Sequence, residues 1–252
     1  MKQAIRYSLL GLLAYLAFTI MQFPASTFLN LVSRQVPDLT VREARGSALR
    51  GSADEVWLGN VHFSSVTWRL QPLALFTGRL AYQMSVDEPI LKLNGVASIG
   101  FSGQLEIEDL NGQFPLGRVL ASRERNNVPL AGEVEVKLDE LRLRPNGSPQ
   151  SAQGIVRLNN ARSLTDPPIG LGNFIGEIDT GENGIVATVT DDQSPLELSA
   201  TLTLTPDGSY RFTGQAAVRD KNNQQLRQAL EVFGAPRGDG RWQIDLDGAL
   251  DV

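Results

Sequence analysis

The chain has 252 residues, a formal net charge of −5 and 20% charged residues. That acidic balance argues against a nucleic-acid partner, which would call for a basic face. With no cysteine and a single histidine, disulfides, thiolate metal sites and the usual nucleophilic triads have nothing to be built from.

The first element is Tyr7 to Phe23, YSLLGLLAYLAFTIMQF, which carries no charge. As a helix it would span about 26 Å, short but sufficient to cross a bilayer. Leu9, Leu10, Leu12, Leu13, Leu16, Phe18 and Ile20 cover every side of that helix, so no polar face remains to lie in a membrane surface. Lys2 and Arg6 precede the run and the next basic residue is Arg34. The positive-inside rule therefore keeps residues 1–6 in the cytoplasm and exports the chain beyond the anchor at 7–23. A cleaved signal peptide shares the basic start and apolar centre, but it needs small residues at alternating positions before the cut. Met21, Gln22, Phe23 and Pro24 stand there instead, which favours an uncleaved anchor. A pilin-like leader would need a Gly-Phe junction at the cytoplasmic edge of the run, and there is none.

Residues 24–37 read as a juxtamembrane helix and linker. Ser26 is the expected N-cap, Phe28, Leu29 and Val32 share a face, and Pro37 stops the helix. From residue 38 to 252 the chain reads as one β-rich body, with no long linker and no repeat of fixed period.

Period-two alternation dominates that body. Val66, Trp68 and Leu70 point one way while Thr67 and Arg69 point the other. Leu80, Tyr82, Met84 and Val86 repeat the pattern. So do Val134, Val136 and Leu138 against Glu133, Glu135, Lys137 and Asp139, and the series Leu196, Leu198, Ala200, Leu202, Leu204. One apolar and one wet face per strand is the signature of antiparallel sheets. The apolar parity moves between Leu138 and Leu141, which predicts a bulge or turn near Asp139 and Glu140.

Turns are expected at Asn94-Gly95, Asn111-Gly112, Asn146-Gly147, Gly181 to Gly184, Asp207-Gly208 and Asp239-Gly240. TLTLTPDGSYRFTG is the clearest hairpin, and the spacing implies a meander of about ten to twelve strands. A second helix is indicated by Leu226, Ala229, Leu230 and Phe233 at helical spacing. Asn222 or Asn223 would cap it, Gly234 and Pro236 would end it, and it would cover a sheet end or edge. The segment from Gly117 to Leu130 reads as a short helix and loop.

The search for chemistry finds no catalytic, cofactor-binding or metal residue. His62, between Val61 and Phe63, projects from the polar face of a strand. GLGNFIG, Gly170 to Gly176, is one residue too long for a dinucleotide fingerprint. Glu177-Ile178-Asp179, directly after it, alternates like a strand, so these read as turn glycines. Asp191-Asp192 and the Asp245, Asp247 pair read as solvated. Arg123-Glu124-Arg125 and Arg142 with Arg144 read as loop and outer-face charges.

A basic start and apolar anchor, GSALRGSA, VTWRLQPLALFTGRLAYQMSV and LRQALEVFGAPRGDGRWQIDLDGAL stand in that order. The carrying positions are Gly46 and Gly51, then Trp68, Pro72, Leu75, Gly78 and Leu80, then Leu230, Gly234, Gly240, Trp242 and Gly248. Together they resemble the protein N family of bacterial type II secretion systems over nearly the whole chain. The resemblance implies a non-enzymatic inner-membrane accessory protein of the machine that carries folded proteins across the outer membrane. The same pattern is similar to AsmA-like proteins, whose long twisted sheets surround an apolar trough and are linked to lipid movement.

The fold expected from both lines is mainly β. One N-terminal transmembrane helix precedes a long, curved, twisted antiparallel sheet with a few short helices. Its apolar inner face is built from Val66, Trp68, Leu70, Leu80, Tyr82 and Met84. Two functions remain open on this reading: an interaction module that meets other secretion components through its surface and sheet edges, or a conduit that holds lipid. The partners are the inner membrane, those components and, on the second reading, lipid.

Overall fold

The computed structural model describes residues 7, 23–33, 39–59, 61–117 and 130–249. The anchor residues between Tyr7 and Phe23, together with Lys2 and Arg6, lie outside the described residues, as do Arg123 to Arg125. Among the described residues, no helix is long and apolar enough to cross a membrane.

Helix α1 (Ala25–Ser33) leads into β1 (Leu39–Gly46), β2 (Arg50–Leu58), β3 (Val61–Leu70), β4 (Arg79–Asp87), β5 (Lys92–Gly100) and β6 (Leu105–Pro115). Next come β7 (Leu130–Leu143), β8 (Pro149–Ser163), β9 (Gly170–Gly181), β10 (Gly184–Asp191), β11 (Leu196–Leu204) and β12 (Ser209–Val218). Helix α2 (Gln224–Leu230) separates β12 from β13 (Trp242–Ala249). Among the described residues the strands form one sheet of 13, each hydrogen-bonded to its neighbours in sequence. The pairs are antiparallel throughout, so the connections alternate between two ends of the sheet. Strands β1 and β13 are its open edges.

The count exceeds the expected ten to twelve because three strands break period two. Arg42 pairs with Glu55 and Ala44 with Ala53, so Glu43 and Asp54 are passed over. Glu55 pairs with Ser64 and Ala53 with Val66, so the same irregularity continues to Ser65. Glu43 and Ser65 take φ of 52° and 61°. Each three-residue step returns the apolar side chains to the same face: Val41 to Ala44, Val56 to Ala53, Phe63 to Val66. The bulge expected near Asp139 works in the same way, with the register against β8 shifting between Leu138 and Glu140.

Glycines bend the sheet. Strands β8 and β10 flank β9, yet they bring Cα atoms within 8 Å, closer than the roughly 9.5 Å of two strand spacings in a flat sheet. Gly176 of β9 sits between Val156 and Val189, with no side chain of its own to hold them apart on the apolar face. Asn94-Gly95 and Asn111-Gly112 have the same role and are not turns: they lie inside β5 and β6. A Cβ on Gly112 would collide with the Leu93 side chain, and one on Gly95 would stand 3.2 Å from Leu110 Cα. The other four Gly-containing signals are connections as expected. In the clearest one, the Asp207 carboxylate accepts from Thr205 Oγ1 and from Ser209 N, which holds its pKa below the usual value.

Helices α1 and α2 lie on the apolar face. Helix α1 starts at Ala25, one residue before the expected cap Ser26, because Pro24 bridges to Ser47 and ties the entry to β1. Its Ala25 and Leu29 pack against Trp68, Ala53, Val41, Ala44, Val56 and Tyr82. At the other side of the sheet, Asn223 Oδ1 caps α2 by accepting from Leu226 N at 3.1 Å. Buried Leu226 and Leu230 pack with Phe174, Leu196, Ala216, Trp242 and Ile244. Helix α2 thus covers the apolar face where the sheet ends at β13.

Candidate functional site

Strand register places the six inner-face residues on one side of the sheet. Val66 stands opposite Val86, Trp68 opposite Met84 and Leu70 opposite Tyr82, and Leu80 has the parity of Tyr82. Their burial divides them. Val66 and Trp68 are each 6% exposed, Trp68 in the cluster beneath α1, Leu70 and Tyr82 are half-buried, and Leu80 and Met84 are exposed at 37% and 41%. Burial pushes the Tyr82 hydroxyl above its ordinary pKa.

The face continues without interruption across the middle of the sheet. Leu80 pairs with Ile99, Ile99 with Leu105 and Leu105 with Leu143; one step further in, Ala97, Ile107 and Leu141 align. Leu105, Ile107, Leu138 and Leu141 are only half-buried. Among the described residues no helix packs across β5, β6 and β7, which lie between the parts of the face that α1 and α2 cover.

The opposite face is polar and in places ionic. Glu106 accepts from Arg79 Nη1 at 2.7 Å and Arg142 Nε at 2.9 Å, and Arg142 also pairs with Glu140. Burial pushes the Glu106 carboxyl up, but the two guanidinium groups outweigh it and hold the pKa below the ordinary 4.5. A carboxylate with a depressed folded pKa stabilises fully above its unfolded pKa and loses that contribution as pH falls. Stability should therefore drop below pH 4.5. Glu106→Gln should flatten that drop, read from urea midpoints at about pH 6 and about pH 3.5. His62 is on this polar face as expected, its ring 4.4 Å from that of Trp57 between centroids and tilted 38° to it.

Two acidic and glycine readings need correction. Asp191 is not solvated: its carboxylate accepts from Leu198 N and Ser194 N and pairs with Arg219 at 2.8 Å. Gly170 to Gly176 open strand β9 and form no turn. Gly172, at φ 111°, sits directly against the buried Ser194 side chain, where a Cβ has no room. Ser194 Oγ donates to Asn173 O at 2.7 Å and stitches the β10–β11 connection to β9. Asp245 is exposed beside Arg211, as expected. Among the described residues no group of three His, Cys, Asp or Glu side chains could hold a metal ion.

The end of the sheet where the chain enters has features that alternation did not reveal. Of the anchor residues only Tyr7 and Phe23 are described, and both are exposed. Phe23 O accepts from Ala48 N at 2.8 Å, which fixes the entry at the β1–β2 connection. The β3–β4 connection at the same end contains a 3-10 turn, Pro72–Thr77, with Leu73, Leu75 and Phe76 exposed. LALF between Pro72 and Gly78, an apolar run inside a turn, was the available signal.

The model of the family described as "Type II secretion system (T2SS), protein N" matches residues 37–245, almost the whole sheet. The chain belongs to that family. Over 99% of its length it is 25% identical to the full length of the type II secretion system protein N of Aeromonas hydrophila. Against the full-length protein of the same name from Vibrio cholerae serotype O1 the figure is 24%, again over 99% of this chain. No solved structure matches the chain. The protein N pattern of small residues thus coincides with sheet geometry: Gly46 and Gly51 face each other across β1 and β2, with Gly51 directly over the Trp68 ring.

Proposed function

We propose that this protein is an accessory component of a type II secretion system, anchored in the inner membrane by residues 7–23, with its sheet in the periplasm. There it meets other components of the machine through protein contacts while folded proteins are exported across the outer membrane. The observation that carries this reading is the protein N family match across the sheet. The uncharged run before Phe23 and the basic residues ahead of it support the anchor and its direction. Among the described residues no strand pairs with the outer side of β1 or β13, which offers backbone for strand addition by a partner. Deletion of the gene is expected to leave the system's exported proteins in the periplasm, measured as the ratio of periplasmic to extracellular enzyme. An unchanged ratio would overturn an obligatory role.

A second reading, that the apolar face holds the acyl chain of a lipid, is supported by the half-buried leucines of β6 and β7 that no described helix covers. Lipid extracted from the purified full-length protein should then be lost when Leu105 and Leu141, which flank Ile107 on the same face, are both changed to Asp. Equal lipid in both preparations would rule this reading out.

A further inference from the structure

Three successive connections at one end of the sheet combine features that a solvated turn does not need. The β1–β2 connection receives Phe23, the last residue of the apolar run. Next to it, the β3–β4 connection exposes Leu73 by 77% and Phe76 by 88%. Beside that, the β5–β6 connection exposes Phe101 by 98%, with the edge of its ring against Gly78. Leu80 and Ile99, opposite each other one step into the sheet, extend this apolar surface. Among the described residues the far end exposes Ile90, Leu164 and Val232, each on a separate connection. Isolated apolar side chains on a surface are ordinary, whereas a contiguous group marks something that covers it.

Charge supplies the second observation. At this same end Arg50 pairs directly across from Arg69 on the polar face, an arrangement of like charges that is unfavourable by itself. Both are exposed, and they line a cleft of about 530 Å³ with Arg45, Thr67, Gln83 and Ser85. Among the described residues neither pairs with a carboxylate, so nothing in the sheet offsets their mutual repulsion.

We infer that this end of the sheet rests on the membrane. Leu73, Leu75, Phe76 and Phe101 enter the interfacial layer, and Arg50 and Arg69 meet anionic lipid headgroups. The inference rests on the anchor reading above, since an anchor ending at Phe23 holds these connections at the membrane surface. Apolar and aromatic side chains beside arginines are the composition that binds such an interface. Seated this way, the apolar face would open toward the bilayer with Leu80 and Ile99 at its mouth.

The absence of cysteine allows single-cysteine labelling of the full chain. Ala14→Cys in the run, Phe76→Cys and Ser102→Cys at this end, and Asp192→Cys at the far end would each carry an environment-sensitive fluorophore. The proteins would be reconstituted in phosphatidylethanolamine–phosphatidylglycerol vesicles containing lipid spin-labelled high on the acyl chain. Blue-shifted, quenched emission is expected at 14, 76 and 102, with aqueous, unquenched emission at 192. Quenching at 14 with aqueous emission at 76 and 102 would overturn this inference and leave the anchor standing. Aqueous emission at 14 would remove the anchor and the inference with it. Phe76 is so exposed that its replacement disturbs little packing, and Ser102→Cys keeps Phe101 in place. Arg50→Glu combined with Arg69→Glu should reduce quenching at 76 at least twofold; unchanged quenching would remove the arginines from the contact.

Discussion

Trp68→Ala should destabilise the protein by about 3–5 kcal/mol, the range for removing a buried aromatic side chain, measured as a shift in urea midpoint at constant slope. Trp68 is 6% exposed and is the largest side chain in the cluster that holds α1 on the sheet. Its ring fills the space over Gly51, and its Nε1 donates to Ser47 O at 3.2 Å. Ser47 also bridges to Pro24, so the same indole supports the turn that receives the entering chain. Trp68→Phe keeps most of the apolar area but loses the hydrogen bond, at a net cost of about 1 kcal/mol plus imperfect filling. The ordering Ala worse than Phe, with α1 becoming protease-sensitive in the Ala variant, is the expected result. A loss below about 1 kcal/mol for Trp68→Ala would show that this packing is peripheral to stability.

Trp68 also separates what strand alternation reveals from what it leaves hidden. Its alternation with Val66 and Leu70 puts the three on one side of β3, because side chains in a strand obey period two whatever covers them. Its degree of burial was not legible, since cover comes from α1, far away in sequence. Leu80 and Met84 have the same parity and the same apolar chemistry, and they remain exposed because α1 does not reach them. Local patterns similarly placed the hairpin through Asp207-Gly208 and the cap of α2, where the deciding hydrogen bonds lie within three residues. They failed at Asn94-Gly95 and Asn111-Gly112, where the glycines answer to side chains on neighbouring strands. Asp191 was misjudged for the same reason: its partner Arg219 lies two strands along the meander and is invisible to any local window. The Arg50 and Arg69 juxtaposition depends on register, which alternation alone does not fix.

The bending of the sheet leads to the second large effect. Gly214 of β12 lies between Ala200 and Ile244 on the apolar face. A Cβ there would stand 2.6 Å from both Ala200 Cα and Ser199 O. These are backbone atoms, so no rotamer change can relieve the clash and the β11–β12 pair must move apart. Gly214→Ala should therefore cost at least the roughly 1–3 kcal/mol of an overpacked core, and Gly214→Val more. Gly238 is the matched control, because nothing lies within 4 Å of its added Cβ; Gly238→Ala should stay within about 0.5 kcal/mol of the parent. Equal midpoints for Gly214→Ala and Gly238→Ala would show that close approach at Gly214 does not constrain the sheet. If the expected difference is found, the glycines of the apolar face act as space reserved for curvature. The same substitution should then force β11 and β12 apart and relax the bend of the sheet there.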